Sequence, residues 1–445
     1  MKKILLFIWV IIISSPLFSQ TLPEKIDSFL SASARQNLFN GSVLVARKGT
    51  VLLQKGYGYK DATAKTLNDA NTIFQIGSIT KQFTSAIILQ LQEKNKLSVQ
   101  DKLSKYIPDY PHGDQITIEN LLTHTSGIYN YTNDRSLMSR DMTQPVSRDS
   151  LVSSFKNKPL DFYPGEKYNY SNSNYILLGI IIEKVTGRSY FRVVRENIFQ
   201  PLQMSHSGFD FGGLKSPDKA TGYNSSAASA PPATILDSSV SFAAGSLYTT
   251  VGDLYKWDRT LYTDRVIHPA SREKAFTPFK AKYGYGWMID SAYGKKIVEH
   301  GGAIPGFMSL ILRVPEDETC IILLDNQFSP HLLKLANDIN TLLNGKEVSL
   351  PKGRTGISLD SAILQQYVGD YELVPGFVIT ISLQNGKLMS QATGQGAAQI
   401  YAEKEDFFFY KIVDAQIDFI KGAGGKVEKL ILHQNGRDLP GKKIK

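Results

Sequence analysis

The sequence of 445 residues contains a single cysteine, Cys320, so an internal disulfide is excluded. This cysteine lies inside the apolar run Thr319–Leu324, which is typical of an inert strand thiol rather than of a nucleophile. The sequence also lacks a metal-ligand cluster and a nucleic-acid-binding signature. Its net charge of +9 is spread thinly, and the densest basic patch is C-terminal. We interpret that patch (Arg437, Lys442, Lys443 and Lys445) as a solubilising surface, with contact to anionic envelope polymers as the alternative.

The apolar run at the start of the chain, Ile4–Ile13, is too short to span a bilayer comfortably. It follows two lysines and is broken by Ser14–Pro16, which is the pattern of a signal peptide. Leu17–Ser19 offers a cleavage site that leaves Gln20 as the new N-terminus. We therefore expect residues 1–19 to be removed and the protein to be exported, periplasmic or extracellular. An uncleaved anchor is the alternative, and the lack of disulfides fits a bacterial envelope.

A chain of this length is expected to hold two or three domains. Strand-like runs occur near both ends of the first 343 residues with helical periods between them, which predicts an antiparallel sheet with helices packed on it. Residues 344–359 have linker composition. Past about Tyr371 the sequence alternates around turns such as Asn385–Gly386. We predict an α+β fold with one domain at 20–343, a linker at 344–359 and a small all-β barrel at 360–445.

Apolar periodicity also predicts individual elements. Helices are expected at 23–38, 81–97, 175–186 and 331–343, and strands at 41–46, 51–59, 283–289, 296–300, 308–314 and 319–324. The Ser-, Ala- and Pro-rich segment 223–237 is expected to be a surface loop.

Ser78 and Lys81 form a Ser-x-x-Lys pair that follows an extended run and Gly77 and opens an amphipathic helix. Residues three apart at a helix N-terminus lie on one face, and the free amides there favour developing negative charge. This context suits a serine nucleophile beside a base. A simple N-cap role is the alternative for Ser78. The other Ser-x-x-Lys pairs, at 153–156, 216–219, 271–274 and 349–352, lack this context.

The string Tyr170-Ser-Asn172 precedes a second, strongly apolar helical stretch. A phenol close to Lys81 is expected to have a lowered pKa and to act as a base toward Ser78. Asn172 is expected to donate to a substrate carbonyl. Glu166 is a weaker candidate for the base, and a structural role in an aromatic loop is the alternative for Tyr170 and Asn172.

The string His300-Gly-Gly302 ends a predicted strand. Paired glycines let a substrate backbone approach a strand closely. The next amide, that of Ala303, is expected to join the amide of Ser78 as an oxyanion hole. A strand-end histidine in a satisfied hydrogen bond is the alternative for His300.

Taken in order, these motifs resemble those of the class C β-lactamase and D-alanyl-D-alanine carboxypeptidase family of serine hydrolases. The resemblance spans residues of about 35 to 340 and includes further strings: Phe74–Lys81, Leu121–Ile128, Tyr168–Tyr175, Ile198–Met204, Ala243–Tyr248 and His300–Gly306. It implies an acyl-enzyme on Ser78, a base role shared by Lys81 and Tyr170, and substrate-side roles for Asn172, His300 and Gly302. His124 and Gly127 match the family's string and are expected to hold structure.

One departure from the family pattern concerns the third motif. β-Lactamases of this type carry Lys-Thr-Gly where this chain has His300-Gly-Gly302. Because histidine is mostly neutral at pH 7, the site is expected to lack a fixed cation for a substrate carboxylate, and strong β-lactamase activity is not expected. The tail from about Tyr367 resembles the lipocalin-like barrel that some of these hydrolases append.

We therefore expect an exported serine hydrolase, similar to a carboxypeptidase or peptidase, that cleaves amide bonds in peptides containing D-amino acids or of cell-wall type, without a cofactor or metal. The expected partner is a peptide or small acyl substrate, such as one derived from peptidoglycan, and no nucleic acid. Two alternatives stay open from the sequence: an esterase of small acyl esters with weak β-lactamase activity, and a non-catalytic envelope protein that captures a ligand.

Overall fold

The computed structural model describes residues 20–134, 142–225, 230–351, 356–410, 415–434 and 437–445. The predicted signal peptide and positions 352–355 of the predicted linker lie outside these ranges. Within them, no helix is both long and apolar enough to cross a membrane.

The helices are named α1 to α11 in chain order: Leu22–Arg35, Thr80–Glu93, Ile118–Leu122, Arg148–Lys156, Asn172–Thr186, Tyr190–Val194, Ser238–Gly245, Val251–Thr260, Pro269–Ala275, Leu332–Leu343 and Ser361–Gln365. The strands are β1 to β10 in the first domain: Gly41–Arg47, Thr50–Tyr57, Tyr59–Asp61, Thr66–Leu67, Phe74–Gln75, Tyr248–Thr249, Met288–Ala292, Lys295–Ile304, Phe307–Val314 and Thr319–Asp325. The strands β11 to β18 follow: Gly369–Val374, Phe377–Gln384, Lys387–Ala392, Ala398–Ala402, Phe407–Tyr410, Ala415–Lys421, Val427–Gln434 and Arg437–Lys443.

A six-stranded sheet in the order β2-β1-β10-β9-β8-β7 forms the centre of the first domain. The strand β1 pairs antiparallel with β10, with Gly41 opposite Asp325 and Ala46 opposite Cys320. Strands from both ends of this region therefore meet in one sheet, which confirms the predicted α+β class. Cys320 is buried in β10, as its apolar context predicts.

The sheet is covered on both faces, which explains why β1 is buried along most of its length. Val43 and Val45 point to the face covered by α1 and α10, which we call the outer face. Leu44 and Ala46 point to the inner face, where the helices α2 to α9 pack. Alternation along a strand sends successive side chains to opposite faces, so a strand buried on both faces is apolar at nearly every position.

The predicted strand at 283–289 is wrong in most of its length, because β7 covers only Met288–Ala292. The preceding residues form an irregular segment with positive φ at Ala281, Lys282 and Gly286. At Gly286 a side chain would lie 2.8 Å from the carbonyl oxygen of Lys81, so this segment passes directly over α2. It packs inward instead of continuing the sheet, and Tyr283 is fully buried.

The second domain is a closed eight-stranded barrel in which each strand pairs with its neighbour in sequence. The predicted turn between β12 and β13 is present, with φ of 50° at Asn385 and 72° at Gly386. Positive φ at both central residues gives the tight hairpin that suits the twist of the flanking strands. The interior is filled by apolar and aromatic side chains, including Tyr367, Tyr371 and Phe419.

Candidate active site

Ser78 lies in a single 3-10 turn, Gly77–Ile79, that connects the short strand β5 to α2. The N-cap of α2 is Ile79, so the alternative N-cap role for Ser78 is wrong. The Ser78 hydroxyl oxygen lies 3.0 Å from Lys81 Nζ and 2.9 Å from the Tyr170 hydroxyl. The turn and the three-residue spacing therefore bring two of the predicted catalytic side chains together, and Tyr170 reaches them from the loop before α5.

Lys81 is fully buried, and its amine contacts three oxygen atoms. They are Ser78 Oγ at 3.0 Å, Asn172 Oδ1 at 2.8 Å and the carbonyl oxygen of Ala244 at 2.8 Å. Burial lowers the pKa of Lys81 well below its ordinary value. A neutral amine has two N–H donors and one lone pair. The amide oxygen and the carbonyl can only accept, so when Lys81 is neutral its two donors go to them and its lone pair is left for the Ser78 hydroxyl.

The expectation that Lys81 lowers the pKa of Tyr170 is wrong. Burial raises the pKa of the Tyr170 phenol above its ordinary value, and only the hydrogen bond with Ser78 opposes this shift. Tyr170 is therefore protonated at neutral pH and donates its hydroxyl hydrogen to Ser78 Oγ. Glu166, the weaker candidate base, is exposed and paired with Lys167.

His300 lies at the point where β7 stops pairing with β8. Its Nε2 is 2.9 Å from the Tyr283 hydroxyl and its Nδ1 is 2.5 Å from the carbonyl oxygen of Gly301. Burial lowers the pKa of His300 to about 4, and the charge that Lys81 carries when it is protonated acts in the same direction. The ring is neutral at pH 7, so Nδ1 donates to Gly301 and Nε2 accepts from Tyr283. It offers no cation to a substrate carboxylate, as the sequence predicts.

Asn172 and Ala303 lie with Ser78 in the wall of one cavity of about 140 Å³. The Asn172 oxygen is used by Lys81, and its Nδ2 lies 3.3 Å from Thr132 Oγ1. The other walls are mainly apolar, and the residues that form them are Leu236, Val240, Ala244, Ile304 and Pro305. The cavity is thus open to the nucleophile and suited to an acyl group with an apolar side chain.

Gly302 has no room for a side chain, because a Cβ would lie 2.0 Å from the Ile76 carbonyl oxygen and 2.5 Å from Ser309 Oγ. Ser309 Oγ in turn donates to that carbonyl at 2.8 Å. This contact sets the spacing between the turn that carries Ser78 and the strand β8.

We expect Gly302→Ala to lower the rate of Ser78 modification about 100-fold, since a displacement near 1 Å has effects of that size. The neighbouring Gly301→Ala is the matched control, because its Cβ would meet nothing closer than 3.6 Å. Labelling by a fluorophosphonate, followed by intact-mass spectrometry, measures both rates. Equal rates for the two variants would contradict the steric role of Gly302.

Several residues of the site were missed by sequence reasoning. The Ala244 carbonyl is the least predictable, because every residue has a backbone carbonyl. Two positions earlier, Phe242 adopts φ 36° and ψ −128° inside α7, a strained backbone geometry for a non-glycine residue. The sequence predicts Tyr283 only as the first residue of a strand at 283–289. His124, expected to hold structure, is fully buried, and its ring centroid lies 4.3 Å from that of Tyr170.

Two family models match this chain. The family model described as Beta-lactamase matches residues 26–344, and one described as a domain of unknown function (DUF3471) matches residues 354–443. The chain is 28% identical to Penicillin-binding protein 4* of Bacillus subtilis (strain 168), over 94% of this chain and 98% of that protein.

Two solved structures are similar along most or all of their length. One is an octameric penicillin-binding protein homologue from Pyrococcus abyssi, with TM-score 0.66 and 26% identity, over 94% of this chain and 99% of that one. The other is a D-stereospecific amidohydrolase from Streptomyces sp., with TM-score 0.60 and 26% identity, over 71% of this chain and 99% of that one. The protein belongs to the β-lactamase family. It is a serine hydrolase that is related to penicillin-binding proteins.

Proposed function

We propose that the protein hydrolyses amide bonds through an acyl-enzyme on Ser78, and that its substrates are peptides containing D-amino acids or of cell-wall type. The observation that carries this proposal is the pair of contacts at Ser78 Oγ, one to the buried Lys81 amine and one to the Tyr170 hydroxyl, both within 3.0 Å. A nucleophile, a base with a free lone pair and a proton donor therefore meet at one oxygen atom.

The first half-reaction begins when Ser78 Oγ attacks the substrate carbonyl carbon and its proton passes to the Lys81 lone pair. The oxyanion is held by the backbone amides of Ser78 and Ala303, each worth about 3 kcal/mol in comparable sites. The C–N bond then breaks, and the leaving amine takes a proton from the Tyr170 hydroxyl, which is restored by the proton held on Lys81. In the second half-reaction water attacks the ester and gives a proton to Lys81; the C–O bond to Ser78 then breaks, and the proton on Lys81 passes to Ser78 Oγ as the acid leaves.

The substrate class is inferred from the cavity and from the relatives. The apolar walls formed by Leu236, Val240 and Ile304 suit a hydrophobic acyl side chain. The neutral His300 gives little attraction for a free carboxylate, which favours an amidase or internal peptidase over a carboxypeptidase. The amidohydrolase from Streptomyces sp. is described as D-stereospecific, which supports D-amino acid substrates here as well.

An esterase remains the second candidate, because a cavity with apolar walls and a neutral His300 also suits an uncharged ester. Assays with p-nitrophenyl butyrate and with D-phenylalanine p-nitroanilide separate the two. For each substrate, kcat/KM is divided by the rate constant of the uncatalysed hydrolysis. The proposal requires this ratio to be larger for the anilide than for the ester, and a larger ratio for the ester favours the esterase.

The decisive experiment is intact-mass spectrometry of the protein after exposure to a fluorophosphonate and, separately, to a penicillin. A single fluorophosphonate adduct is expected on the wild type and on Ser153→Ala, a control from another Ser-x-x-Lys pair, and none on Ser78→Ala. A slow, partial penicilloyl adduct is expected. A folded wild-type protein that takes up neither probe would overturn the proposed acyl-enzyme.

We further infer that the protein works outside the cytoplasm, because residues 1–19 carry the pattern of a signal peptide. Expression of the full chain in a bacterial host and mass measurement of the product test this directly. The expected product begins at Gln20 and lies in the periplasm or medium.

The pH dependence of acylation is expected to follow Lys81. Because the attack needs the neutral amine, the labelling rate is low while Lys81 is protonated and rises with pH through its lowered pKa. The rise should be complete well below the pH that the ordinary lysine pKa of about 10.4 would require. A fluorophosphonate labelling series from pH 5 to pH 10 measures this. A rate that still rises tenfold per pH unit up to pH 10 would contradict a neutral Lys81.

A further inference from the structure

A second cavity, of about 280 Å³, lies against the outer face of the sheet between β7, β8 and α10. It shares no lining residue with the cavity at Ser78. Glu299 lines this second cavity, and the next residue on β8 is His300 of the catalytic centre. Adjacent residues of a strand point to opposite faces, so the two cavities lie on opposite faces of one strand.

The polar wall of the cavity contains a carboxyl group with one oxygen atom that has no partner among the described residues. Glu299 Oε2 is buried and makes no hydrogen bond within the described part of the chain. Asp290, opposite Ile297 on β7, also lines the cavity, but its carboxylate pairs with Lys282 at 2.8 Å. An unpaired buried oxygen of this kind costs free energy unless a donor satisfies it. The fold therefore contains an unused acceptor at the wall of an open cavity.

The remaining walls define what kind of donor fits. Ile297, only 4% exposed, and Leu333 give an apolar surface. Asn337 and Thr341 on α10 add neutral polar groups, and the Tyr293 hydroxyl is held 2.9 Å from Thr341 Oγ1. The cavity therefore combines the carboxyl group of Glu299 with an apolar surface formed by Ile297 and Leu333.

We propose that this cavity is a binding site for a small organic amine, whose ammonium group pairs with Glu299 and whose short apolar stem packs on Ile297 and Leu333. A charge-assisted hydrogen bond from an ammonium is the strongest way to satisfy a buried carboxylate. The neighbouring carboxylate of Asp290 adds attraction for a cation, since it is only partly offset by Lys282.

Burial, followed by the charge of Asp290, raises the pKa of Glu299 to about 7. The groups that face Glu299 from β7 and α10 are Asp290 with its partner Lys282 and the uncharged Tyr293, Asn337 and Thr341. Only the ionised carboxylate pairs with an ammonium, so binding should be about tenfold tighter at pH 8 than at pH 6.

Isothermal titration calorimetry of the full chain with 2-phenylethylamine at pH 8 tests the proposal. Saturable binding is expected for the wild type and for Glu347→Gln, which removes an exposed carboxylate elsewhere. Binding should weaken at least tenfold in Glu299→Gln, and the uncharged analogue 2-phenylethanol should bind at least tenfold more weakly than the amine. Blocking Ser78 with a fluorophosphonate should leave amine binding unchanged.

Leu333→Trp provides a second variant, because Leu333 is 46% exposed and a larger side chain there closes the cavity without disturbing the core. It should weaken amine binding even if Glu299→Gln does not fold. The proposal is wrong if the wild type does not bind the amine, or if folded Leu333→Trp binds it with unchanged affinity. Equal binding of amine and alcohol would also overturn it.

Discussion

Lys81→Met is expected to slow fluorophosphonate labelling of Ser78 by a factor of about 10³. A positioned general base contributes about 10² to 10⁴ in rate. The buried Lys81 amine, 3.0 Å from Ser78 Oγ, is the base that we propose. Methionine keeps an unbranched apolar stem of similar size and removes only the amine. The measurement is the second-order labelling rate constant, followed by intact mass.

The matched control is Lys156→Met, which changes the lysine of another Ser-x-x-Lys pair. Lys156 lies on α4 and pairs with Asp109 at the surface. We expect its labelling rate to stay within a factor of about two of the wild type. Tyr170→Phe should slow labelling less than Lys81→Met, because the raised pKa of Tyr170 makes it a donor rather than a base. A greater loss in Tyr170→Phe than in Lys81→Met would reverse these two roles.

Asp258→Asn is expected to lower the free energy of unfolding of the first domain by about 3–5 kcal/mol, the usual cost of breaking a buried ion pair. Asp258 and Arg313 are both fully buried, and Arg313 Nε donates to Asp258 Oδ1 at 2.5 Å. The second carboxylate oxygen accepts from Arg259 at 2.9 Å. Neutral asparagine leaves the Arg313 charge in an aromatic environment that includes Tyr262, 4.8 Å from the guanidinium.

Urea denaturation followed by tryptophan fluorescence measures this effect in the first domain alone. The tryptophans after the signal segment are Trp257 and Trp287, and the barrel has none. Asp338→Asn is the control, since Asp338 forms an exposed helical pair with Lys334. Its effect should be within about 0.5 kcal/mol. A loss below about 1 kcal/mol in Asp258→Asn would show that Arg313 is stabilised by the rings around it.

The elements that could be predicted from the sequence are those with a strong local period. The strands at 41–46, 308–314 and 319–324 and the helix at 331–343 were predicted to within two residues at each end. The Ser78–Lys81 contact was also predictable, because it depends only on a turn entering a helix. The segment 283–289 was not, because Gly284 lies against the end of α9 and Gly286 against α2 rather than against a neighbouring strand.

The protonation of the site could not be predicted from residue types. The sequence places a tyrosine near a lysine, but the direction of a pKa shift depends on burial and on the remaining partners of both groups. Here two acceptors, Asn172 Oδ1 and the Ala244 carbonyl, take the donors of Lys81. Ala244 is 163 positions away in sequence, and no local pattern signals its contact.

The order of strands in the sheet has a consequence for how the chain folds. The strand β1 cannot complete its pairing until β10 exists, and Gly41 then meets Asp325. Such long sequence separations slow folding, because closing the loop costs conformational entropy before the contacts between the strands offset that cost. The barrel, by contrast, grows by pairing each strand with the one just before it. We expect the barrel to reach its native state within milliseconds to seconds, and the first domain to fold more slowly.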